Sequence, residues 1–217
     1  MGFDEKSLEK LFIDLFRERG YEYVDGATIV RDLRQIVLFG DLKQYLIRKY
    51  PDLTEFEIQT VARSFASKDG NNYVNNRNTL RNLREGFKIK REDGKTYLWI
   101  NLLDFAHAEN NIFKFVNQYE IRGPQNNRIP DGIVFVNGIP LVVLEFKSAI
   151  REEATIEDAY EQINTRYVRD IPDLFTYNAF TVISDGINNR IGTIFTDYSN
   201  YYAWNKANSE DPPSDGG

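Results

Sequence analysis

Four residues near the middle of the chain have the types and spacing of a phosphodiester-hydrolysing site. Asp131 follows a proline, and Glu145 and Lys147 lie two residues apart in an otherwise apolar run. Side chains alternate faces along a β-strand, so Glu145 and Lys147 project to the same side. A hard cation such as Mg²⁺ takes oxygen ligands, lowers the pKa of a bound water and screens a phosphate. We predict Asp131, Glu145 and the carbonyl of Phe146 as its ligands. Lys147 would orient the water or neutralise developing charge.

The elements that must position these residues are two apolar runs, 133–136 and 139–146. They flank Asn137-Gly138, a pair typical of a two-residue hairpin turn. The second run is apolar on both faces, which predicts a buried central strand. Unpaired charge is costly there, so Glu145 and Lys147 need an explanation. A structural ion pair between Glu145 and Lys147 is one explanation. A metal site is another, and it also explains the presence of Asp131.

A regular hairpin, however, cannot bring the two carboxylates together. A two-residue turn pairs Val136 with Ile139, and counting outward places Asp131 opposite Leu144. Directly opposed residues share a face of the sheet. Asp131 and Glu145 would then point to opposite sides, and no shared site would form.

We therefore predict one residue of slippage in this hairpin. A bulge at Gly132 is the simplest form, because glycine tolerates the backbone angles that a bulge requires. A longer turn around Gly138 is the alternative. The carboxylates of Asp131 and Glu145 should then lie within about 6 Å of each other, close enough to share one cation.

Hydrophobic periodicity predicts further helices and strands around the hairpin. Helices are predicted over 8–16, 41–49, 54–67, 79–86 and 155–170, the last capped by Thr155 and Asp158. Strands are predicted over 29–38, 87–91, 96–103, 111–121, 180–184 and 191–195, and an Asn-rich loop over 71–78.

Composition excludes several kinds of site. Of 217 residues none is cysteine and one is histidine, which excludes disulfides, thiolate zinc sites and cysteine nucleophiles. The chain contains no P-loop motif for nucleotide binding. It also contains neither a signal-peptide pattern nor an apolar run of the roughly 18 residues that a membrane span needs. We therefore expect a cytoplasmic protein with no membrane partner.

The net charge of −6 argues against a stand-alone nucleic-acid binder, because phosphate contacts need Lys and Arg. It does not exclude a nuclease, since metal ligands are acidic and a partner subunit can supply a basic groove. The stretch 77–95 is locally basic. It is either a solvated face or a contact surface for DNA or a partner.

The run "RIPDGIVFVNGIPLVVLEFKSA" resembles the N-terminal nuclease domain of type I restriction enzyme R subunits, within the PD-(D/E)xK superfamily. "LEKLFIDLFRERGYEYV" resembles the opening helix of that family, and "NQYEIRG" the strand before the motif. "QINTRY", "IPDLFTYNAFTVISDG" and "RIGTIF" resemble the family's segments on the C-terminal side of the motif. The resemblance covers most of residues 8–196.

This resemblance implies an α/β fold of restriction-endonuclease type, which is a mixed β-sheet flanked by helices. It also implies that the protein cleaves double-stranded DNA with Mg²⁺. It implies metal ligation by Asp131 and Glu145, and Lys147 as the catalytic lysine. Glu9 stands where related nucleases place a helical acidic metal ligand, although a solvated glutamate fits equally well.

Three residues of the run 162–167 are candidates for supporting the site or contacting DNA. Gln162 matches the glutamine of a Q-x-x-x-Y motif found in related nucleases, but Tyr167 falls one residue late. Gln162 and Arg166 are four residues apart and share a face of an α-helix, so they can also form an ordinary surface pair.

The resemblance also implies partners: modification and specificity subunits of a restriction complex, and an ATP-driven motor that this chain does not contain. We interpret residues 1–205 as the endonuclease domain and 206–217 as a flexible tail or the start of a linker to that motor. The alternatives are a stand-alone repair or junction nuclease of the same superfamily and a non-catalytic DNA-binding or assembly module.

Overall fold

A mixed seven-stranded sheet organises the chain, and a computed structural model describes residues 4–66, 68–147 and 155–203. The helices are α1 Glu5–Glu18, α2 Phe39–Lys49, α3 Glu55–Ser64, α4 Asn72–Glu85, α5 Ile156–Glu161 and α6 Val168–Asp170, with a π-helix, Gln162–Tyr167, between the last two. The strands are β1 Glu22–Asp25, β2 Phe87–Lys90, β3 Tyr97–Ile100, β4 Phe113–Asn117, β5 Ile121–Arg122, β6 Asn127–Arg128, β7 Gly132–Val136, β8 Ile139–Phe146, β9 Phe180–Ser184, β10 Asn189–Gly192 and β11 Tyr202–Ala203.

The strand order of the large sheet is β1-β4-β7-β8-β9-β10-β11. β1 pairs parallel with β4 and β8 parallel with β9, whereas the other neighbours are antiparallel. The carboxyl ends of β1, β4, β8 and β9 therefore meet the start of β7 at one edge. We call it the Asp131 edge; its residues include Asn117, Asp131, Phe146 and Ser184.

Both faces of this sheet are covered. On one face α1 contributes Leu8 to a cluster with buried Phe115 and Phe146, and the Phe12 ring stacks on Phe146 at 4.5 Å between centroids. On the other face α2, α3 and the 156–170 helical segment pack on residues such as Phe135. The predicted fold class, a mixed sheet flanked by helices, is confirmed.

The β7–β8 hairpin contains the predicted slippage. Val136 pairs with Ile139 across a two-residue turn, but Val134 pairs with Val142. Leu141 is the extra residue, so the bulge lies in β8. Gly132 pairs with Leu144 in this shifted register. Asp131, one residue earlier, therefore lies opposite Glu145, one residue later.

The predicted position of the bulge is wrong. Gly132 pairs regularly with Leu144, and the turn is not lengthened, because Asn137 and Gly138 adopt φ values of 51° and 77° as a tight hairpin turn requires. Glycine is required at position 132 for packing instead, because a Cβ there would lie 2.6 Å from the ring of Phe115.

Two other sequence predictions are wrong. Residues 29–38 form no strand, since Asp32 accepts from the Arg34 N–H in a local turn and Arg31 donates to the Gln35 carbonyl. Residues 71–78 are not a loop: Asn71 caps α4 by accepting from the Val74 N–H. Asparagine favours a helix N-cap as strongly as a turn, which explains the misassignment.

The 87–103 hairpin and the helical segment beginning at Thr155 lie near their predicted bounds. The helix predicted over 79–86 already begins at Asn72, and the strand predicted over 111–121 is interrupted between Asn117 and Ile121. The strand predicted over 191–195 is displaced to Asn189–Gly192. The predicted tail, 206–217, lies outside the described residues. None of the helices in the described ranges is long and apolar enough to cross a membrane.

Candidate active site

Asp131 and the end of β8 are joined directly. The Phe146 backbone N–H donates to Asp131 Oδ2 at 2.7 Å. Lys147 Nζ donates to Glu145 Oε1 and to the Phe146 carbonyl, each at 3.1 Å. The structure thus brings all four sequence-predicted residues of the motif to the Asp131 edge.

Both carboxyl groups have raised pKa values because they are buried. Burial raises the pKa of Asp131 to about 6, against the opposing hydrogen bond from the Phe146 N–H. Burial and then the charge of Asp131 raise the pKa of Glu145 to about 8, against the opposing charge of Lys147. Glu145 is 0% exposed, so its ionised form needs a cation beside it.

The donor set suits a hard divalent cation. It consists of the Asp131 and Glu145 carboxylates and the Phe146 carbonyl, all oxygen ligands, and Mg²⁺ needs only one or two carboxylates. Within the described ranges no three His, Asp or Glu side chains are close enough together to hold a metal ion. The fit therefore depends on these two carboxylates and the carbonyl.

Glu9 lies on α1 and is held by amides of β4 and the residue after it. Glu9 Oε1 accepts from Asn117 Nδ2 at 2.8 Å and from Gln118 Nε2 at 3.4 Å. Tyr23 in turn donates to Asn117 Oδ1 at 3.1 Å. The charge of Glu9 contributes to the raised pKa of Asp131, so Glu9 faces the site without joining a three-carboxylate cluster.

The π-helix accounts for the late tyrosine. A π-turn accommodates one more residue than an α-turn, so Tyr167 reaches back to Gln162, whose Nε2 donates to the Tyr167 hydroxyl at 2.8 Å. Tyr167 then donates to Glu145 Oε2 at 3.0 Å. Gln162 and Tyr167 both connect to the site.

Arg166 is not part of this network. It is exposed, and in the described ranges Gln162 bonds Tyr167 rather than Arg166. The helix at this point is π and not α, so Gln162 and Arg166 do not have the i,i+4 relation that the sequence predicted. A contact of Arg166 with DNA stays a prediction.

An ion cluster that the sequence did not reveal anchors the segment before Asp131. Asp170, 0% exposed, accepts from Arg128 Nε at 2.7 Å and from Arg169 Nε at 2.8 Å. These hydrogen bonds, that of Arg169 first, hold the pKa of Asp170 well below its usual range. The cluster ties β6 to the end of the helix that carries Tyr167. An aspartate in the last turn of a helix is unfavourable next to the negative end of the helix dipole. The position of Asp170 in the sequence therefore indicates that it has a cationic partner.

We expect Tyr167→Phe to lower the affinity of the candidate site for Mg²⁺ about 10- to 100-fold, as loss of a residue that orients a metal ligand does. The substitution removes the only donor that Glu145 Oε2 has among the described side chains and leaves Gln162 without its acceptor. The rise of the unfolding midpoint with Mg²⁺ concentration measures the affinity.

Tyr160→Phe is the matched control, because its hydroxyl donates to the Thr196 carbonyl at 3.3 Å, away from the carboxylates. It should leave the Mg²⁺ affinity within about twofold. Equal losses in the two variants would show that Tyr167 acts only through packing.

A mixed sheet with helices on both faces, and with two carboxylates and a lysine at one edge, defines an α/β protein of the restriction-endonuclease type. Comparison with known families agrees: residues 2–200 match the family described as type I restriction enzyme R protein N terminus. The chain belongs to this family.

Three curated relatives illustrate the similarity. The type I restriction enzyme HindI endonuclease subunit of Haemophilus influenzae is 34% identical over 213 residues, which are 93% of this chain and 20% of the relative. A putative type I restriction enzyme endonuclease subunit, MjaIXP, of Methanocaldococcus jannaschii is 30% identical over 216 residues, 94% of this chain and 20% of the relative. The type I restriction enzyme SsaAORF53P endonuclease subunit of Staphylococcus saprophyticus is 27% identical over 192 residues, which are 86% of this chain and 19% of the relative. The chain thus spans about a fifth of the length of these relatives.

Proposed function

We propose that this chain hydrolyses DNA phosphodiester bonds with Mg²⁺ as the nuclease part of a type I restriction enzyme R subunit. One observation carries the proposal. The bulge at Leu141 aligns Asp131 with Glu145 at the end of β8, where the Phe146 N–H holds Asp131 and Lys147 contacts Glu145. A buried carboxylate, a half-buried carboxylate and a lysine at a sheet edge suit phosphate chemistry better than a structural ion pair.

Each residue has a distinct role in this proposal. Asp131, Glu145 and the Phe146 carbonyl would hold the cation, which supplies charge to the phosphate and acidity to a bound water. Lys147, 14% exposed at its side chain, places its ammonium within hydrogen-bond reach of Glu145. There it can orient the attacking water and neutralise charge that develops on the phosphate. Tyr167 fixes the orientation of Glu145.

The assembly that we propose is based on the names of the relatives, which are endonuclease subunits of type I restriction enzymes. The substrate is double-stranded DNA, and the partners are modification and specificity subunits in the cytoplasm. ATP would act on another part of the subunit. The net charge of −6 fits a domain that relies on such partners to hold DNA.

The proposed metal site can be tested through the pH dependence of stability. Asp131 and Glu145 have higher pKa values folded than unfolded, so these two groups hold more protons in the folded chain between about pH 5 and about pH 8. Carboxyl groups with lowered pKa values, such as Asp104 and Asp170, titrate below this window. The free energy of unfolding should therefore fall as pH rises through this window. Mg²⁺ needs the ionised carboxylates, so its stabilising effect should grow with pH.

Denaturant unfolding at about pH 5 and about pH 8, with and without Mg²⁺, measures both effects. Glu145→Gln should flatten the pH dependence and abolish most of the Mg²⁺ effect, whereas Glu157→Gln, an exposed glutamate on α5, should change neither. A Mg²⁺ effect that is absent from the unaltered chain, or equally large in Glu145→Gln, would contradict the proposed site.

A further inference from the structure

The turn between β9 and β10, residues 185–188, leaves the sheet beside the candidate active site. β9 is parallel to β8, and Phe146 pairs with Ser184. The Lys147 N–H donates to the Ser184 carbonyl at 2.9 Å. The turn therefore begins where the strand carrying Glu145 ends.

Local hydrogen bonds hold this turn in one shape. Asp185 Oδ1 accepts from the backbone N–H of Ile187 at 2.9 Å and of Asn188 at 2.7 Å. Gly186 has a φ of 87° and donates to Ser184 Oγ at 3.1 Å. Because the backbone is already ordered, a contact made by the turn would cost little further conformational entropy.

Ile187 and Asn188 are the exposed residues of this turn, and 71% of the surface of Ile187 is exposed. Polar residues and glycine dominate such turns, so a β-branched apolar side chain there is unusual. On the other side of β8, Ile129 is 45% exposed and lies two residues before Asp131. β7 and β9 both flank β8, so the two segments are about 10 Å apart at ordinary strand spacing.

Electrostatics alone give this edge little affinity for DNA. The chain carries a net charge of −6, and Lys147 already pairs with Glu145. Apolar side chains can supply the missing contact, since isoleucine and similar residues act as wedges in DNA grooves.

We propose that the 185–188 turn enters a groove of duplex DNA and that Ile187 makes an apolar contact there. This contact holds the sugar-phosphate backbone of the DNA against Asp131 and Glu145. This inference rests on the proposed function. The minor groove, about 6 Å wide, admits a single side chain at the tip of a turn, and the major groove, about 12 Å wide, admits a whole two-stranded ribbon.

Photo-crosslinking in the assembled enzyme tests the contact. Ile187 is replaced by p-benzoylphenylalanine, and the matched control is Ile47, an isoleucine on α2 that is 48% exposed. We expect a crosslink to duplex DNA from position 187 and none from position 47. Equal crosslinking from both positions, or none from 187, would overturn the inference.

Cleavage assays give the second measurement. Ile187→Asp should lower the rate at sub-saturating DNA by about tenfold or more, as loss of a buried apolar contact and added phosphate repulsion require. Ile187→Ala should lower it less, and Ile47→Asp should not change it. Unfolding midpoints confirm that the variants fold; if Ile187→Asp does not, the alanine variant and the crosslink decide.

The two proposals fail separately. Unchanged cleavage in both Ile187 variants without a crosslink overturns the groove contact, while loss of cleavage in Glu145→Gln still supports the nuclease. Full cleavage in Glu145→Gln overturns the nuclease site whatever Ile187 does.

Discussion

Replacing Glu145 with glutamine should reduce DNA cleavage by the assembled enzyme by at least about a thousandfold, because the proposed Mg²⁺ ion would lose an anionic ligand and the phosphate would lose its charge screening. Glutamine has nearly the same shape, so the buried position is still filled. Without Mg²⁺, at about pH 8, the variant should be at least as stable as the unaltered chain, because burial and the charge of Asp131 outweigh the attraction of Lys147 and raise the pKa of Glu145. Initial cleavage rates and denaturant unfolding measure the two quantities.

Glu157→Gln serves as the control for the same chemical change at an exposed position on α5, and it should cleave at the unaltered rate. Asp131→Asn should match Glu145→Gln in its loss of activity. If Glu145→Gln cut DNA at a rate near that of Glu157→Gln, Glu145 would be a structural residue and the nuclease would have to reside elsewhere.

Gly123→Ala should destabilise the chain by about 2 to 4 kcal/mol, an effect in the range of core overpacking. An added Cβ would lie 1.6 Å from the carbonyl oxygen of Asp170, which is backbone and cannot rotate away. The β5–β6 hairpin and the end of α6 must then separate, which strains the contact of Arg128 with Asp170. Thermal and denaturant unfolding measure the loss.

Gly40→Ala is the matched control for this substitution. Gly40 lies on α2, and a Cβ there would meet nothing within 4 Å. Alanine favours a helix over glycine, so this variant should gain up to about 1 kcal/mol. A Gly123→Ala variant as stable as Gly40→Ala would show that the hairpin does not pack against α6.

The residues of the candidate site were more predictable from the sequence than the elements around them. Asp131, Glu145 and Lys147 were identifiable because charges in an apolar strand are expensive, and counting residues alone revealed the need for a bulge. The location of the bulge depended on packing: Gly132 pairs regularly beneath the Phe115 ring, whereas Leu141 is accommodated as the extra residue. Contacts between residues so distant in sequence are invisible to local patterns.

The same limit explains the helix that carries Gln162. In an α-helix Tyr167 would be misplaced by one position relative to Gln162. The structure forms a π-helix there, and Gln162 and Tyr167 bond at 2.8 Å. Asn117 and Asp170 were missed because each acts through a partner from another element, Glu9 for the first and Arg128 for the second.

The bulge at Leu141 has a consequence for how the gene can change in length. Loss of one codon beside Leu141 would remove the bulge and leave a regular ladder in which Asp131 still faces Glu145. Gain of one codon there would demand a second irregularity or turn the carboxylates to opposite faces. Homologues should therefore tolerate deletions in this hairpin better than insertions. Those one residue shorter should keep Asp131 and Glu145 on one face, and those one residue longer should lose the candidate site.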